Sequence, residues 1–193
     1  MSLTNESVAV ITGAASGIGR ALAIRLAREP IAGIAVADIN AEGLAETARL
    51  ITNRNLLVTT HVVDVADERQ MKTFVDSVVA RHGRATHIVN NAGVALGGTV
   101  REVSLDYIRW LVNVNFGGVV YGTKLFLPVL EKQKSAHIIN ISSIFGIVAP
   151  AGNAAYSASK FAVRGFSEAL RHELENTNIL VSVVHPGGIK TNI

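Results

Sequence analysis

Cysteine is absent from the 193 residues. That excludes a disulfide framework and a thiolate metal site, and it fits a reducing compartment. No export leader is legible, so the cytoplasm is the expected location. Long hydrophobic runs are missing too: stretches such as 31–37 fall far short of the roughly 18 apolar residues that would cross a bilayer, and no membrane partner is expected. Nor is charge of one sign gathered anywhere. Lys and Arg number 18 against 15 Asp and Glu, for a net charge of +3. Scattered singly, these cations offer no stripe that would follow a phosphate backbone, which argues against nucleic acid as a partner. Aromatic residues reach only 5% and prolines number 4, whereas 49% of residues are hydrophobic and 17 are glycine. A chain of this length buries about 70% of the surface it exposes when unfolded, enough for a core without covalent staples. No linker, repeat or low-complexity tract divides it, so residues 1–193 are expected to form one domain.

Short runs rich in Val and Ile alternate with segments whose apolar residues recur every three or four positions. Residues 8–12, 33–38, 56–64, 87–90, 137–142 and 180–185 have the composition of buried parallel strands. Residues 18–28, 41–52, 67–81, 105–131 and 155–175 carry helical periodicity. This alternation predicts an α/β fold: a Rossmann-type doubly wound parallel sheet with helices on both faces. Ligands are then expected beyond the carboxyl ends of the strands.

The glycine-rich turn Thr12-Gly13-Ala14-Ala15-Ser16-Gly17-Ile18-Gly19 follows the first strand and opens a helix. Gly13 would permit a tight turn, Gly17 a close approach of backbone to a diphosphate, and Gly19 close packing of helix on sheet. The helix N-terminus would offer free N–H groups to the anion. Asp38 closes the second strand, where its carboxylate can accept bonds from adenosine ribose hydroxyls, although the position also suits a helix N-cap. A carboxylate repels a 2′-phosphate, and neither Ser16 nor Ile39 supplies a compensating cation, so NAD is favoured over NADP. Asp64-Val65 ends the third strand and Asn90-Asn91-Ala92-Gly93 the fourth. Asp64 is placed to bond an adenine amino group and Ala92-Gly93 to lie flat against adenosine, while Asn90-Asn91 also suits a plain turn.

Tyr156 and Lys160 stand four residues apart, on one face of a predicted helix. An ammonium beside a phenol favours the phenolate, which a tyrosine with an ordinary pKa of about 10 needs before it can exchange protons near neutral pH. Ser143 ends the fifth strand, where a helix-capping or turn role is equally open to it. The six histidines are far apart and show no ligand spacing, and no metal is expected.

Taken together, residues 12–19, Asp64, residues 90–93, Asn115, Ser143, Tyr156, Lys160 and Pro186-Gly187 occur in an order and spacing that resembles the short-chain dehydrogenases/reductases. The resemblance implies a catalytic tetrad of Asn115, Ser143, Tyr156 and Lys160. Within it Tyr156 is the general acid/base, Ser143 donates to the substrate oxygen, and Lys160 binds ribose and lowers the tyrosine pKa. Asn115, preferred to Asn113 on the glycine that follows it, holds a water in the proton relay. Ser143 is preferred to Ser142 because it lies thirteen residues before Tyr156. The resemblance also implies that residues 186–191, with Pro186, Gly187, Ile189 and Thr191, contact the cofactor. Cofactor contacts implied elsewhere are Gly13, Ser16, Gly17, Ile18, Gly19, Asp38, Asp64, Val65, Asn91, Ala92, Gly93, Tyr156 and Lys160.

Members of that family usually continue into a helical substrate lid and a seventh strand, and both are expected to be missing from this sequence, as in a shortened account of a longer protein. Smaller departures are Thr86, where Asp is common, and Ser182, where Asn is common. The expected activity is NAD-dependent interconversion of a secondary alcohol and a ketone or aldehyde by hydride transfer. The competing expectation is a dinucleotide-binding module, or a truncated member of the family, without turnover. An extended-branch epimerase fits less well, because Gly13, Gly17 and Gly19 do not have that branch's spacing. The loops 94–99 and 144–153 carry no Arg or Lys to clamp an anion, which favours a small uncharged substrate. The helices from 105 and 155 are expected to pair with a second subunit, giving a homodimer or homotetramer.

Overall fold

In the computed structural model, which describes residues 3–53 and 55–189, six parallel strands form one sheet in the order β3-β2-β1-β4-β5-β6. The strands are β1 (Val8–Thr12), β2 (Gly33–Asp38), β3 (Leu57–Val62), β4 (His87–Asn90), β5 (Ala136–Ile141) and β6 (Ile179–Val184). Helices α1 (Gly17–Leu26), α2 (Ala41–Leu50), α3 (Glu68–His82), α4 (Leu105–Val112), α5 (Gly118–Leu130) and α6 (Ala154–Glu173) connect them. The strand order reverses between β1 and β4, so their following loops leave in opposite directions and a crevice opens there.

Period-two alternation sorts the strand side chains between two cores. Val10, Ala35, Ile88 and Ile138 pack with Met71, Phe74 and Val78 of α3, Phe126 and Leu130 of α5, and Leu170 of α6. Their neighbours Ile11, Ile34, Val36 and Val89 pack on the opposite face with Ala23 of α1 and Leu44 of α2. Each fully buried side chain of this size contributes about 1.5–3 kcal/mol. On the second face α1 and α2 lie over one half of the sheet, and at its far edge Leu180 and Val184 of β6 are half exposed.

Three strands have the expected bounds, and the other three differ by one or two residues at an end. The larger departure concerns residues 105–131, expected as one helix. Between α4 and α5 the backbone takes a π-helical turn, Asn113–Gly117, in which the Gly118 N–H reaches back to the Asn113 carbonyl. The apolar pattern continues through this turn, and it therefore left no mark on the periodicity. Capping also assigns Asp38 differently from one of its two expected roles. The N-cap of α2 is Asn40, whose side chain accepts from the Gly43 N–H at 2.9 Å, which leaves Asp38 at the strand end.

Three histidines, His61, His87 and His137, lie in strands, and His82 ends α3 beside them. His61 and His82 both bond the Thr59 hydroxyl at 2.8 Å, and His87 bonds Thr86 at 2.8 Å. Burial, reinforced by the neighbouring His82 and Arg81, pushes His61 down to about 4. Burial, with His137 beside it, does the same to His87. The unfolded chain takes up protons near the ordinary value of about 6.5, so this contribution is complete above that pH and is lost as pH falls towards 4. The urea midpoint is expected to drop across that window, and a His61→Gln/His87→Gln variant to show a flatter pH dependence there.

Candidate active site

The crevice at the switch point is a cleft of ≈ 510 Å³. Its floor is the glycine-rich turn. Gly13 has φ +66, and a Cβ there would stand 2.7 Å from the Ala92 Cα, while one at Gly19 would stand 2.3 Å from the Gly13 carbonyl oxygen. Only glycine allows the β1 turn, the β4 loop and α1 to approach this closely. Thr12 and Asn91 lock the contact. The Thr12 hydroxyl accepts from the Asn91 and Ala92 N–H groups at 3.0 and 3.1 Å, and the Asn91 amide donates to the Thr12 and Gly13 carbonyls at 2.9 and 3.1 Å. Asn90 and Asn91 thus serve as more than a turn. Asn90 is buried and donates to Asn140 at 2.8 Å and Thr123 at 3.2 Å, joining β4 to β5 and α5.

Helices α2, α3 and α4 are capped by side chains, whereas Ser16 makes no capping bond to α1 and no acidic residue lies in its first turn. The N–H groups at that end face the cleft beside Ser16, Gly17 and Ile18 and suit an anion. Asp38 lies on the same wall. One carboxylate oxygen accepts from the Ala15 N–H and the other from the Asn40 N–H, both at 3.0 Å, which leaves each oxygen further acceptor capacity. Asp64, whose carboxylate accepts from the Ala66 N–H at 2.9 Å, and Val65 complete this end.

At the other end are Ser143, Tyr156 and Lys160. Lys160 is 4% exposed, and its ammonium donates to the Ile141 carbonyl at 3.1 Å and sits 5.8 Å from the centre of the Tyr156 ring. Burial pushes the Lys160 amine down to about 8. The Tyr156 ring is braced edge-on by Phe145, with centroids 6.0 Å apart. The two serines have different partners. Ser142 is buried and donates to the Lys160 carbonyl at 2.9 Å, while the Ser143 hydroxyl accepts only the Phe145 N–H, at 3.2 Å, among the bonds described. Its proton is therefore free to be donated into the cleft. The loop after β6 fixes that turn: Ile144 N–H donates to the Pro186 carbonyl at 2.8 Å, and His185 bonds the Ser143 carbonyl at 3.0 Å.

Asn115 is fully buried in the π-helical turn, and Asn113 is exposed. The Asn115 side chain accepts from the Val94 N–H at 2.7 Å and donates to the Val94 carbonyl at 2.9 Å and to Ser159 at 3.1 Å. It does not line the cleft. The same holds for Gly19, whose place is against the Gly13 carbonyl. The remaining expected contacts line it, apart from Thr191, which lies outside the described residues. Sequence reasoning missed Trp110 and Val114, one helical turn apart on a wall of the cleft. Their spacing placed them on an apolar stripe, which is equally the signature of core. Among the described residues no cluster of three or more His, Asp or Glu is arranged to hold a metal, and no helix is long and apolar enough to cross a membrane.

The family model described as short chain dehydrogenase matches residues 7–193. The chain belongs to that family. Its relatives include a putative oxidoreductase, SadH, of Mycobacterium tuberculosis, 46% identical over 195 residues that cover 100% of this chain and 70% of SadH. A short chain dehydrogenase/reductase from Burkholderia phymatum, solved in complex with NAD, superposes with a TM-score of 0.96 at 34% identity, covering 100% of this chain and 69% of that one. A short chain dehydrogenase from Mycobacterium paratuberculosis bound to NAD gives 0.92 at 34% identity, covering 98% and 74%. The fold is thus that of a short-chain dehydrogenase, a family of the oxidoreductase class. For this member, the buried Lys160 amine is expected to titrate near 8 in the free protein, read from its side-chain NMR resonances; an ordinary lysine midpoint of about 10.4 would contradict the burial.

Proposed function

We propose that this short-chain dehydrogenase is an NAD-dependent oxidoreductase interconverting a secondary alcohol and a ketone or aldehyde, with both cofactor and catalytic groups carried by one domain. The observation that carries this reading is the sharing of one cleft by the uncapped α1 N-terminus, Asp38, Ser143, Tyr156 and Lys160. The residues present fit a dinucleotide. The diphosphate would meet the free N–H groups of α1, the adenosine ribose the spare acceptor capacity of Asp38, and the nicotinamide half would lie towards Lys160 and the Pro186-Gly187 loop. Asp38 supports NAD rather than NADP, because its carboxylate would face a 2′-phosphate.

Bound nicotinamide supplies the hydride acceptor for oxidation or the hydride donor for reduction. The chain's own residues handle the proton and the developing charge. In the oxidation direction the Tyr156 Oη, as phenolate, takes the hydroxyl proton of the substrate. In reduction it returns a proton to the carbonyl oxygen. The buried Lys160 ammonium, 5.8 Å from the centre of the Tyr156 ring, is a fixed positive charge beside the group that exchanges the proton. The Ser143 hydroxyl donates to the substrate oxygen as negative charge grows there, and its turn is fixed in advance by the Ile144 and His185 bonds. Asn115 holds the Val94 backbone and α6 in place around these groups.

The cleft's charged side chains support an uncharged substrate. Among the described residues Lys160 is its one basic lining group, and Asp38 and Asp64 lie at the opposite end. Exposed Leu105 and Tyr107 on α4 and Phe161 on α6 support assembly as a homodimer or homotetramer.

Turnover of a panel of secondary alcohols, followed as NADH absorbance, tests the reading. NAD is expected to be preferred to NADP, and Tyr156→Phe to lower kcat by about 10²–10⁴-fold while still binding NADH. Full activity in Tyr156→Phe would assign the proton transfer to another group.

A further inference from the structure

Arg20 stands in the first turn of α1 and does not line the cleft. Its guanidinium instead lies where backbone carbonyls from two elements converge. It donates to the Ala15 carbonyl of the glycine-rich turn, to the Gly43 carbonyl in the first turn of α2 at 3.2 Å, and to the Thr47 hydroxyl at 3.0 Å. Thr47 is fully buried and donates in turn to the Ala14 and Gly43 carbonyls at 2.8 and 3.0 Å. The same stretch aims Asp38. The Ala14 N–H donates to the Ala37 carbonyl at 3.1 Å, and the Ala15 N–H to the Asp38 carboxylate at 3.0 Å.

We propose that Arg20 is a positioning residue for cofactor discrimination: it holds the Ala15 carbonyl against α2 and anchors the Thr47 hydroxyl, which bonds the Ala14 carbonyl, and the N–H of that Ala14–Ala15 peptide fixes the Asp38 carboxylate. The role rests on the reading of the cleft as an NAD site and extends it to a residue outside the cleft. The chemistry requires a planar, multiply donating cation. Two carbonyl oxygens and a hydroxyl oxygen converging on one point need several N–H donors in fixed directions, which a planar guanidinium supplies and a single ammonium does not. Without it the peptides on either side of Ala15 lose their anchor to α2, directly and through Thr47, and Asp38 loses the fixed direction of one of the two N–H groups that orient its oxygens. The cation's own charge is already spent on carbonyls, so it does not serve as a receptor for a 2′-phosphate.

Fluorescence titration with NADH and NADPH tests this without any substrate. Arg20→Ala is expected to weaken NADH binding about tenfold, the scale of one lost charge-assisted bond, and to weaken NADPH binding much less, so that the preference narrows. Arg20→Lys, which keeps the charge and the aliphatic stem, is expected to fold normally and still lose part of the preference. In an Asp38→Asn background the Arg20 substitutions should have little further effect, because the group they act through has been neutralised. Equal weakening of both dinucleotides, or full additivity with Asp38→Asn, would overturn the Arg20 role while leaving the cofactor reading intact. Wild-type protein that binds neither dinucleotide would overturn the cofactor reading and this role with it.

Discussion

The loops after β1 and β4 leave the sheet in opposite directions, and the cleft exists because they part. It keeps its shape because they are also tied together. Thr12 accepts two N–H groups from the β4 loop, and Asn91 returns two donors to the β1 loop. The ladder between β1 and β4 ends at Ile11 and Val89, so these four bonds carry the connection between the two chains beyond it. The tie also explains why the turn tolerates no side chain at Gly13: the two backbones are held closer than a Cβ allows. Everything that faces the cleft is referenced to this junction. Asp38 is aimed from Ala15, three residues past Thr12, and Val94, three residues past Asn91, is the backbone that Asn115 grips.

Burial of Lys160 is the second constraint. Taking an ammonium out of water is costly, and the amine responds by giving up its proton more readily than a free lysine. A lysine at this position therefore remains only if the surroundings supply acceptors. The Ile141 carbonyl supplies one, and the π-electrons of Tyr156 face it at longer range. The remaining donors are turned to the cleft. Ser142 secures the arrangement from behind by bonding the Lys160 carbonyl, so that adjacent serines on one turn have separate tasks: one fixes the helix, the other keeps a free hydroxyl.

Most of this was legible in the sequence where a single interaction decides the outcome. Strands β1, β2 and β4 are short runs centred on Val, Ile and Ala and buried on both faces, the mark of interior parallel strands. The glycine spacing and the four-residue separation of Tyr156 and Lys160 are local geometry, and local geometry is written in local sequence. What stayed hidden depends on partners distant in the chain. Asp38 and Asn40 are both fit to cap α2, and the choice of Asn40 follows from the Ala15 N–H that claims Asp38 from another loop. Arg20 has the sequence setting of any helix cation, because the carbonyls it gathers are brought together only by the packing of α2 on the glycine-rich turn. Trp110 and Val114 share their spacing with any core stripe, and only the crevice beside them separates cleft wall from core.

The π-helical turn is the clearest case of tertiary demand overriding a local pattern. An uninterrupted helix would keep the regular backbone ladder through 113–117, so the wider turn there must be compensated elsewhere. Asn115 provides the compensation. Its amide makes three bonds, two to Val94 and one to Ser159, and Ser159 passes the contact to the Tyr156 carbonyl at 2.7 Å. A widened turn shifts the register of every following residue around the helix axis. That shift lets one face bury Leu111 of α4 and Val119 and Phe126 of α5 while Asn115, between them, still reaches the β4 loop and α6 together. The distortion is local, and its effect is to bind the loop over the cofactor half of the cleft to the helix carrying Tyr156 and Lys160. A polar side chain fully removed from water, with both of its amide atoms bonded, is a rigid joint, and in this fold the joint lies between the two halves of the site.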